Sequence, residues 1–228
     1  MSVFQTRTFP CPACGADNAV QLVHSLHTER SPDLRDAILD GTFQTVACNA
    51  CEETFRIDPE LTVLDTHRNQ WLAVLPANAS HSWGASEARA HQQFQRSFGP
   101  KAPRIARELG ADLTARVVFG WGALREKMVA RDHTIDDIDL ELMKLAVLRG
   151  AGGTVPGPDY ALRLVDVAAE TLTLAWVHRR TDAVNGGMTV PRALLLDVVG
   201  TAWQPLRADV SAGLYVDVNR LLDAPAVS

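Results

Sequence analysis

The sequence predicts an α+β fold, and three observations carry that expectation. Two cysteine-pinned turns near the start are separated by a stretch with helix punctuation. The following residues, up to about 76, run in strand-length apolar or alternating segments. Beyond them, helical periodicity alternates with two further strand-like runs. The expected divisions are residues 1–76, a mainly helical segment at 86–150, and an α+β part at 151–228.

The cysteines come first because the chain has only four, placed as Cys11, Cys14, Cys48 and Cys51: two Cys-x-x-Cys pairs with 33 residues between them. A two-residue spacer lets both sulfurs of a turn point at one centre, and two such knuckles supply the tetrahedral thiolate set that zinc prefers. Disulfides are disfavoured in the reducing compartment expected here. A redox Cys-x-x-Cys needs one pair at the mouth of a βαβ unit, whereas here the pair is doubled. The reading is therefore an N-terminal zinc ribbon with an inserted helix and a small antiparallel sheet. Pro12 stiffens the first knuckle, and Gly15 offers a positive φ after Cys14. In the second knuckle Asn49 and Glu52 stand where proline and glycine would be expected. A four-thiolate shell is closed, leaving no coordination position for water, so it predicts stability rather than hydrolysis. His24 and His27 lie between the knuckles but are three apart on a predicted strand, so they face opposite ways and are not taken as ligands.

Between the knuckles, SPDLRDAILDG reads as a helix, with Ser31 at its cap, Pro32 in the first turn and Gly41 at its end. Strands are expected at Val20–Leu26 and Thr42–Ala47, then in TFRID, LTVLD and QWLAVLP. Residues 77–85 read as a polar loop, followed by helices from Ser86 and over APRIARELG. TARVVFG is a strand, Trp121–Arg131 a helix, and TIDDIDLELMKLAVLRG a stronger helix capped by Thr134, with Ile135, Ile138, Leu142, Leu145 and Leu148 on one face. GAGGTVPGPD is a linker, YALRLVDVAAETLTLAWVHRR a hairpin, Pro191–Gly200 a helix, and GLYVDVNRLLD a closing strand or helix.

With 46% hydrophobic and 21% charged residues, the composition is that of an ordinary globular protein. No secretory h-region follows Arg7 and no apolar run reaches bilayer length, so a cytoplasmic protein without membrane contact is expected. Residues 1–76 hold ten acids against five basic residues, which argues against phosphate as a partner for the cysteine-bearing part. Residues 77–110 carry the one basic excess, +3.

Other candidates have plainer explanations. Asp136, Asp137, Asp139 and Glu141 are the residues a magnesium site would use, yet acids also favour the positive end of a helix dipole. Gly150, Gly152 and Gly153 lack the Lys-Ser/Thr of a phosphate loop. No G-x-S-x-G, H-E-x-x-H or G-x-G-x-x-G occurs. Trp71, Trp121, Trp176 and Trp203 fall in apolar runs and are expected in the core, while Trp83, in SHSWGAS, would mark a contact surface if exposed.

The stretches FPCPACG, SPDLRDAILDGTFQTVACNAC and LTVLDTHRNQWLAVLP resemble the CpXC family of bacterial proteins, over roughly residues 5–76. VVFGWGALREKM and DDIDLELMKLAVLRG resemble segments that follow this domain in longer members. The second motif departs from the family name, CNACE in place of CPxCG. The resemblance implies paired cysteine motifs with an inserted helix and a following sheet, and supports zinc; it brings no activity with it.

The expected function is that of a non-catalytic zinc-binding protein that docks on another protein. The alternative is an enzyme with its active site in residues 86–228 and a purely structural ribbon. A weaker alternative is a nucleic-acid-binding regulator, suggested by the basic excess at 77–110.

Overall fold

A computed structural model of the chain describes residues 3–150 and 156–222. Its first element, β1 (Val3–Pro10), turns through the first cysteine pair into β2 (Asp17–His27) as an antiparallel hairpin. Helix α1 (Pro32–Leu39) follows, with Pro32 in the first turn, where its missing N–H costs nothing. A second, shorter hairpin, β3 (Thr45–Ala47) and β4 (Thr54–Arg56), carries the second cysteine pair in its turn. The expected ribbon with an inserted helix is thus present as two knuckle-bearing hairpins on either side of α1.

The sheet beyond it is larger than expected. Strands β5 (Leu61–Asp65) and β6 (Gln70–Leu75) pair antiparallel. After a 3₁₀ turn at Ala77–Ser82 come α2 (Trp83–Phe98), α3 (Arg104–Asp112) and β7 (Thr114–Phe119). Strand β7 lies parallel to β6, opposing Ala73 with Val117 and Leu75 with Phe119, and β2 lies parallel to β5. The result is one mixed five-stranded sheet, ordered β1-β2-β5-β6-β7. It therefore continues past residue 76, because the α2–α3 crossover returns the chain beside β6, as a parallel pairing requires.

Both faces of this sheet are covered. On one, Leu26, Val63, Leu72, Val74 and Val118 pack against Ile38 of α1 and Trp121, Leu124 and Met128 of α4 (Trp121–Asp132). On the other, Trp71, Ala73, Val117 and Phe119 meet Ala90 of α2 and Tyr215. The outer edge of β7 is closed where the Val117 N–H donates to the Leu214 carbonyl at 3.0 Å. Burying both faces explains why QWLAVL reads as a continuous apolar run rather than as an alternation.

Helix α5 (Asp137–Gly150) packs against an antiparallel sheet of β8 (Tyr160–Val167), β9 (Thr171–His178) and β10 (Val184–Pro191), together with α6 (Leu194–Asp197), α7 (Gln204–Ser211) and α8 (Val218–Leu222). Leu140, Leu142, Met143, Leu162, Leu164, Leu172 and Leu174 form this core.

Several expectations need correction. Helix α2 begins at Trp83, not Ser86, and Trp83 is half-buried: it stacks on Tyr215 at 5.7 Å between ring centroids, with the Arg220 guanidinium 4.8 Å from its ring centroid. Thr134 does not cap α5. It sits at φ 52°, and Asp136 caps instead, its Oδ1 accepting the N–H groups of Ile138 and Asp139 at 2.9 and 3.1 Å. The helix expected over 191–200 is reduced to the four residues of α6, and VNGGMTVP ahead of it forms β10. The sequence predicts no element for that stretch; a Cβ at Gly187 would lie 2.7 Å from the Leu174 carbonyl oxygen, so strand pairing with β9 requires glycine there. The linker expected at 150–159 lies partly outside the described residues.

Candidate metal centre

The two hairpin turns bring Cys11, Cys14, Cys48 and Cys51 together, with all four sulfurs within 4.8 Å of one another. Cys11 Sγ lies 3.7 Å from Cys51 Sγ, and Cys14 Sγ lies 3.6 Å from Cys48 Sγ. A disulfide would require about 2.0 Å. A tetrahedron of sulfurs about 2.3 Å from zinc has edges of about 3.8 Å, so both close pairs match edges of such a shell. The donor set fits a metal ion. Among the described residues this is the group of cysteine, histidine and acidic side chains whose ligand atoms converge in this way.

Each knuckle is built by backbone hydrogen bonds that use the sequence as written. The Cys11 N–H donates to the Ala16 carbonyl and the Gly15 N–H to the Cys11 carbonyl, at 2.8 and 2.9 Å. The second knuckle repeats this, from Cys48 N–H to the Glu53 carbonyl at 2.9 Å and from Glu52 N–H to the Cys48 carbonyl at 3.0 Å. Gly15 lies at φ 76° and Glu52 at φ 61°, so Glu52 adopts the glycine conformation without being glycine.

Asn18, buried on β2, ties the knuckles together. Its Nδ2 donates to the Ala16 carbonyl at 2.8 Å and reaches Cys48 Sγ at 3.7 Å, while its Oδ1 accepts the Asn49 N–H at 2.9 Å. A polar residue in a strand of mixed character carries no spacing signal, which is why sequence reasoning passed over it. The Ala50 amide, donating to Cys48 Sγ at 3.4 Å, leads the contacts that lower the Cys48 thiol to about 6. At Cys51 the Glu53 amide acts in the same sense, but proton sharing with Cys14, burial and the contacts with Cys11 and Cys48 push the thiol up to about 12. Cys11 and Cys48 are buried; Cys14 and Cys51 are exposed.

His24 and His27 lie on β2 outside the sulfur cluster. The acids at the start of α5 all have partners within the chain, Lys127 being shared by Asp137 and Glu141. Asp136 caps the helix, Asp137 pairs with Arg116 at 2.7 Å and Lys127 at 3.0 Å, Asp139 pairs with Arg207, and Glu141 pairs with Lys127 and Lys144 at 3.2 and 2.7 Å. Asp137 and Glu141 belong to a buried lattice of four carboxylates and four cations, the others being Glu126, Asp217, Arg116, Lys127, Lys144 and Arg163. The lattice also satisfies backbone groups: Glu126 accepts the Leu164 N–H at 2.7 Å, and Glu141 accepts the Val218 N–H at 2.8 Å. Such internal pairing accounts for the acids that sequence reading set aside as possible magnesium ligands. No helix among the described residues is long and apolar enough to cross a membrane.

Searches of the curated proteins and of the solved structures returned no match. The family model described as CpXC protein matches residues 9–144, which takes in both knuckles, four strands of the mixed sheet (β2, β5, β6 and β7) with the last two residues of β1, and α4. That span exceeds half of the 228 residues, and the chain belongs to the CpXC family.

Proposed function

We propose that the chain is a non-catalytic zinc protein that docks on another protein, with Cys11, Cys14, Cys48 and Cys51 holding one structural zinc ion. The observation that carries this reading is the all-sulfur set with edges of 3.6 and 3.7 Å. Four thiolates complete the coordination of zinc and leave no place for a reacting water, so the ion would act as a staple between two hairpins. In small domains such binding contributes about 10–16 kcal/mol, comparable with the whole of folding stability. An ion held this way makes a rigid platform, which suits recognition of a partner surface better than chemistry on a substrate.

The test has two parts. Elemental analysis of purified, untagged protein should find a single tightly held zinc per chain; metal-free, folded protein would end the reading. Capture from the native host with intact protein and with Cys48→Ser should then recover a stoichiometric partner that the variant loses. A variant that stays folded and keeps every partner would remove the ribbon from the interface.

A further inference from the structure

A cleft of about 960 Å³ opens beside the second knuckle, between the β1–β2 hairpin, β4, the amino end of α4 and the β9–β10 turn. Its accessible apolar surface comes from Phe9, Pro10, Pro12 and Phe55, over a floor of buried Leu22, Ile57 and Trp121. Next to that surface, two guanidinium groups converge on one carboxylate. Arg56 Nη1 lies 3.0 Å and Arg125 Nη2 2.9 Å from Asp182 Oδ2, and the Gly122 N–H of α4 donates to Asp182 Oδ1 at 3.1 Å. All three side chains are largely withdrawn from water, at 18%, 27% and 13% exposure. Their sum is one positive charge without a counter-charge, and Arg56 Nη2 has no hydrogen-bond partner. The other charged residues of the cleft, Arg7, Arg180, Asp40, Asp58 and Glu60, are exposed and screened by solvent.

An unbalanced charge in such a place is costly, and a second carboxylate would neutralise it. Burial lowers Arg56 to about 10, with Asp182 opposing the shift and Arg125 adding to it. Asp182 also holds a backbone conformation that asparagine and aspartate adopt more readily than other non-glycine residues, at φ 59°. Glycine at 122 eases the approach of its carboxylate: a Cβ there would lie 3.2 Å from Asp182 Oδ1, closer than ordinary van der Waals contact. The β9–β10 turn thus delivers a carboxylate to the amino end of α4, where the Gly122 amide, Arg125 and Arg56 hold it against the burial that raises its carboxyl.

We propose that this cleft receives an extended acidic segment of a partner protein, whose carboxylate joins Arg56 and Arg125 at the place Asp182 holds as an internal stand-in. The apolar surface of Phe9, Pro10 and Phe55, which line the cleft and are half-buried or exposed, takes the side chain next to the acid. The volume far exceeds what one carboxylate fills and lies at the upper end of small-ligand sites. The inference rests on the docking reading above and names the chemistry of the docked partner.

The experiment uses the zinc-loaded full chain, ¹⁵N-labelled, and three probes: a hexapeptide alternating glutamate and leucine, its glutamine counterpart, and free glutarate. The glutamate peptide should shift the Gly122 amide and the Arg56 Nε signal and bind at least tenfold more tightly than the glutamine peptide. Arg125→Gln should weaken it at least tenfold. Asp182→Asn should tighten it several-fold by removing the competing carboxylate, an effect that misfolding cannot imitate. Equal affinity for the two peptides, no binding of either, or no gain in Asp182→Asn would overturn the proposal. Glutarate binding as tightly as the peptide would make the cleft a small-acid site and overturn it as well. A host partner lost by Cys48→Ser but kept at full affinity by Arg125→Gln would remove the cleft from the interface while leaving the docking reading intact.

Discussion

The two knuckles superimpose in logic but not in residue choice, and the difference falls on single side chains. Gly15 reaches φ 76° freely, whereas Glu52 is held at φ 61°, a conformation that costs a residue with a Cβ about 1–2 kcal/mol. Glu52→Gly should therefore raise stability by about 0.5–1 kcal/mol, part of the gain being offset by the greater freedom of glycine in the unfolded chain. Urea titration of the zinc-loaded protein measures it, and a loss would mean that the Glu52 side chain has a role of its own. Asn18 is the converse case. Its amide bridges Ala16, Cys48 and Asn49, the kind of outer contact whose removal costs about 10–100-fold in metal affinity. Asn18→Ala should weaken zinc binding by that factor in competition with a chromophoric chelator, with all four cysteines still present. The four cysteines were legible in the sequence because ligand spacing is local. Asn18, Arg56, Arg125 and Asp182 were not, since each acquires its partner from a different hairpin or helix.

Helices α4 and α5 are the elements whose design departs most from surface amphipathicity. Glu126 and Lys127 on α4, and Glu141 and Lys144 on α5, are as buried as the leucines beside them. The four side chains cross-link the helices and continue to β8 through Arg163 and to the 216–219 segment through Asp217 and the Val216 carbonyl. Lys144 binds Glu126 at 2.8 Å, Glu141 at 2.7 Å and the Leu162 carbonyl at 3.2 Å. Removing one partner of such a set strands the others, so Lys144→Met should destabilise by about 3–5 kcal/mol, read from the shift in urea midpoint. A double change of Lys144→Met with Glu141→Leu should recover part of it, because Glu126, which keeps Arg163, is then the one carboxylate left short of a cation. Periodicity made α4 and α5 readable as helices. It could not reveal that their charged residues face inward, because charge on a helix is ordinarily solvated. The same limit hid β10, where glycine serves close strand approach, and the parallel β6–β7 pairing, which joins residues 44 positions apart, as Gln70 with Thr114.

At the scale of the whole molecule, two charge-dependent locks work on different parts of the chain, thiolates at the knuckles and carboxylates in the α4–α5 lattice, and acid tests them differently. Burial by itself would raise the carboxyls of Glu126, Asp137 and Asp217, but Lys144 with Arg163, Lys127 with Arg116, and Arg163 with Lys144 respectively outweigh it and hold all three below the ordinary carboxylate range. Each therefore contributes stability that is fully present above about pH 4, the unfolded value, and is lost as pH falls through the lower folded value. Glu141 has the opposite sign: burial raises its carboxyl despite Lys144 and Lys127, so its contribution is present below the unfolded value and fades as pH rises through the folded one. Within the lattice, three groups against one make its contribution fall as pH drops below about 4; Asp182, outside it, has a carboxyl that burial raises and acts in the same sense as Glu141. In the proposed zinc site protons would also compete with the metal for the thiolates, so wild type alone cannot separate the two locks. Asp217→Asn can, because with zinc in excess the metal contributes equally to both proteins. The variant should lose the uptake of one proton, flattening the acid limb by up to about 1.4 kcal/mol per pH unit relative to wild type. Urea midpoints measured at intervals between pH 2 and 6 would show the two curves converging in acid. Parallel curves would mean that Asp217 gains no protection from Arg163, and that acid sensitivity resides in the knuckles and the remaining carboxylates.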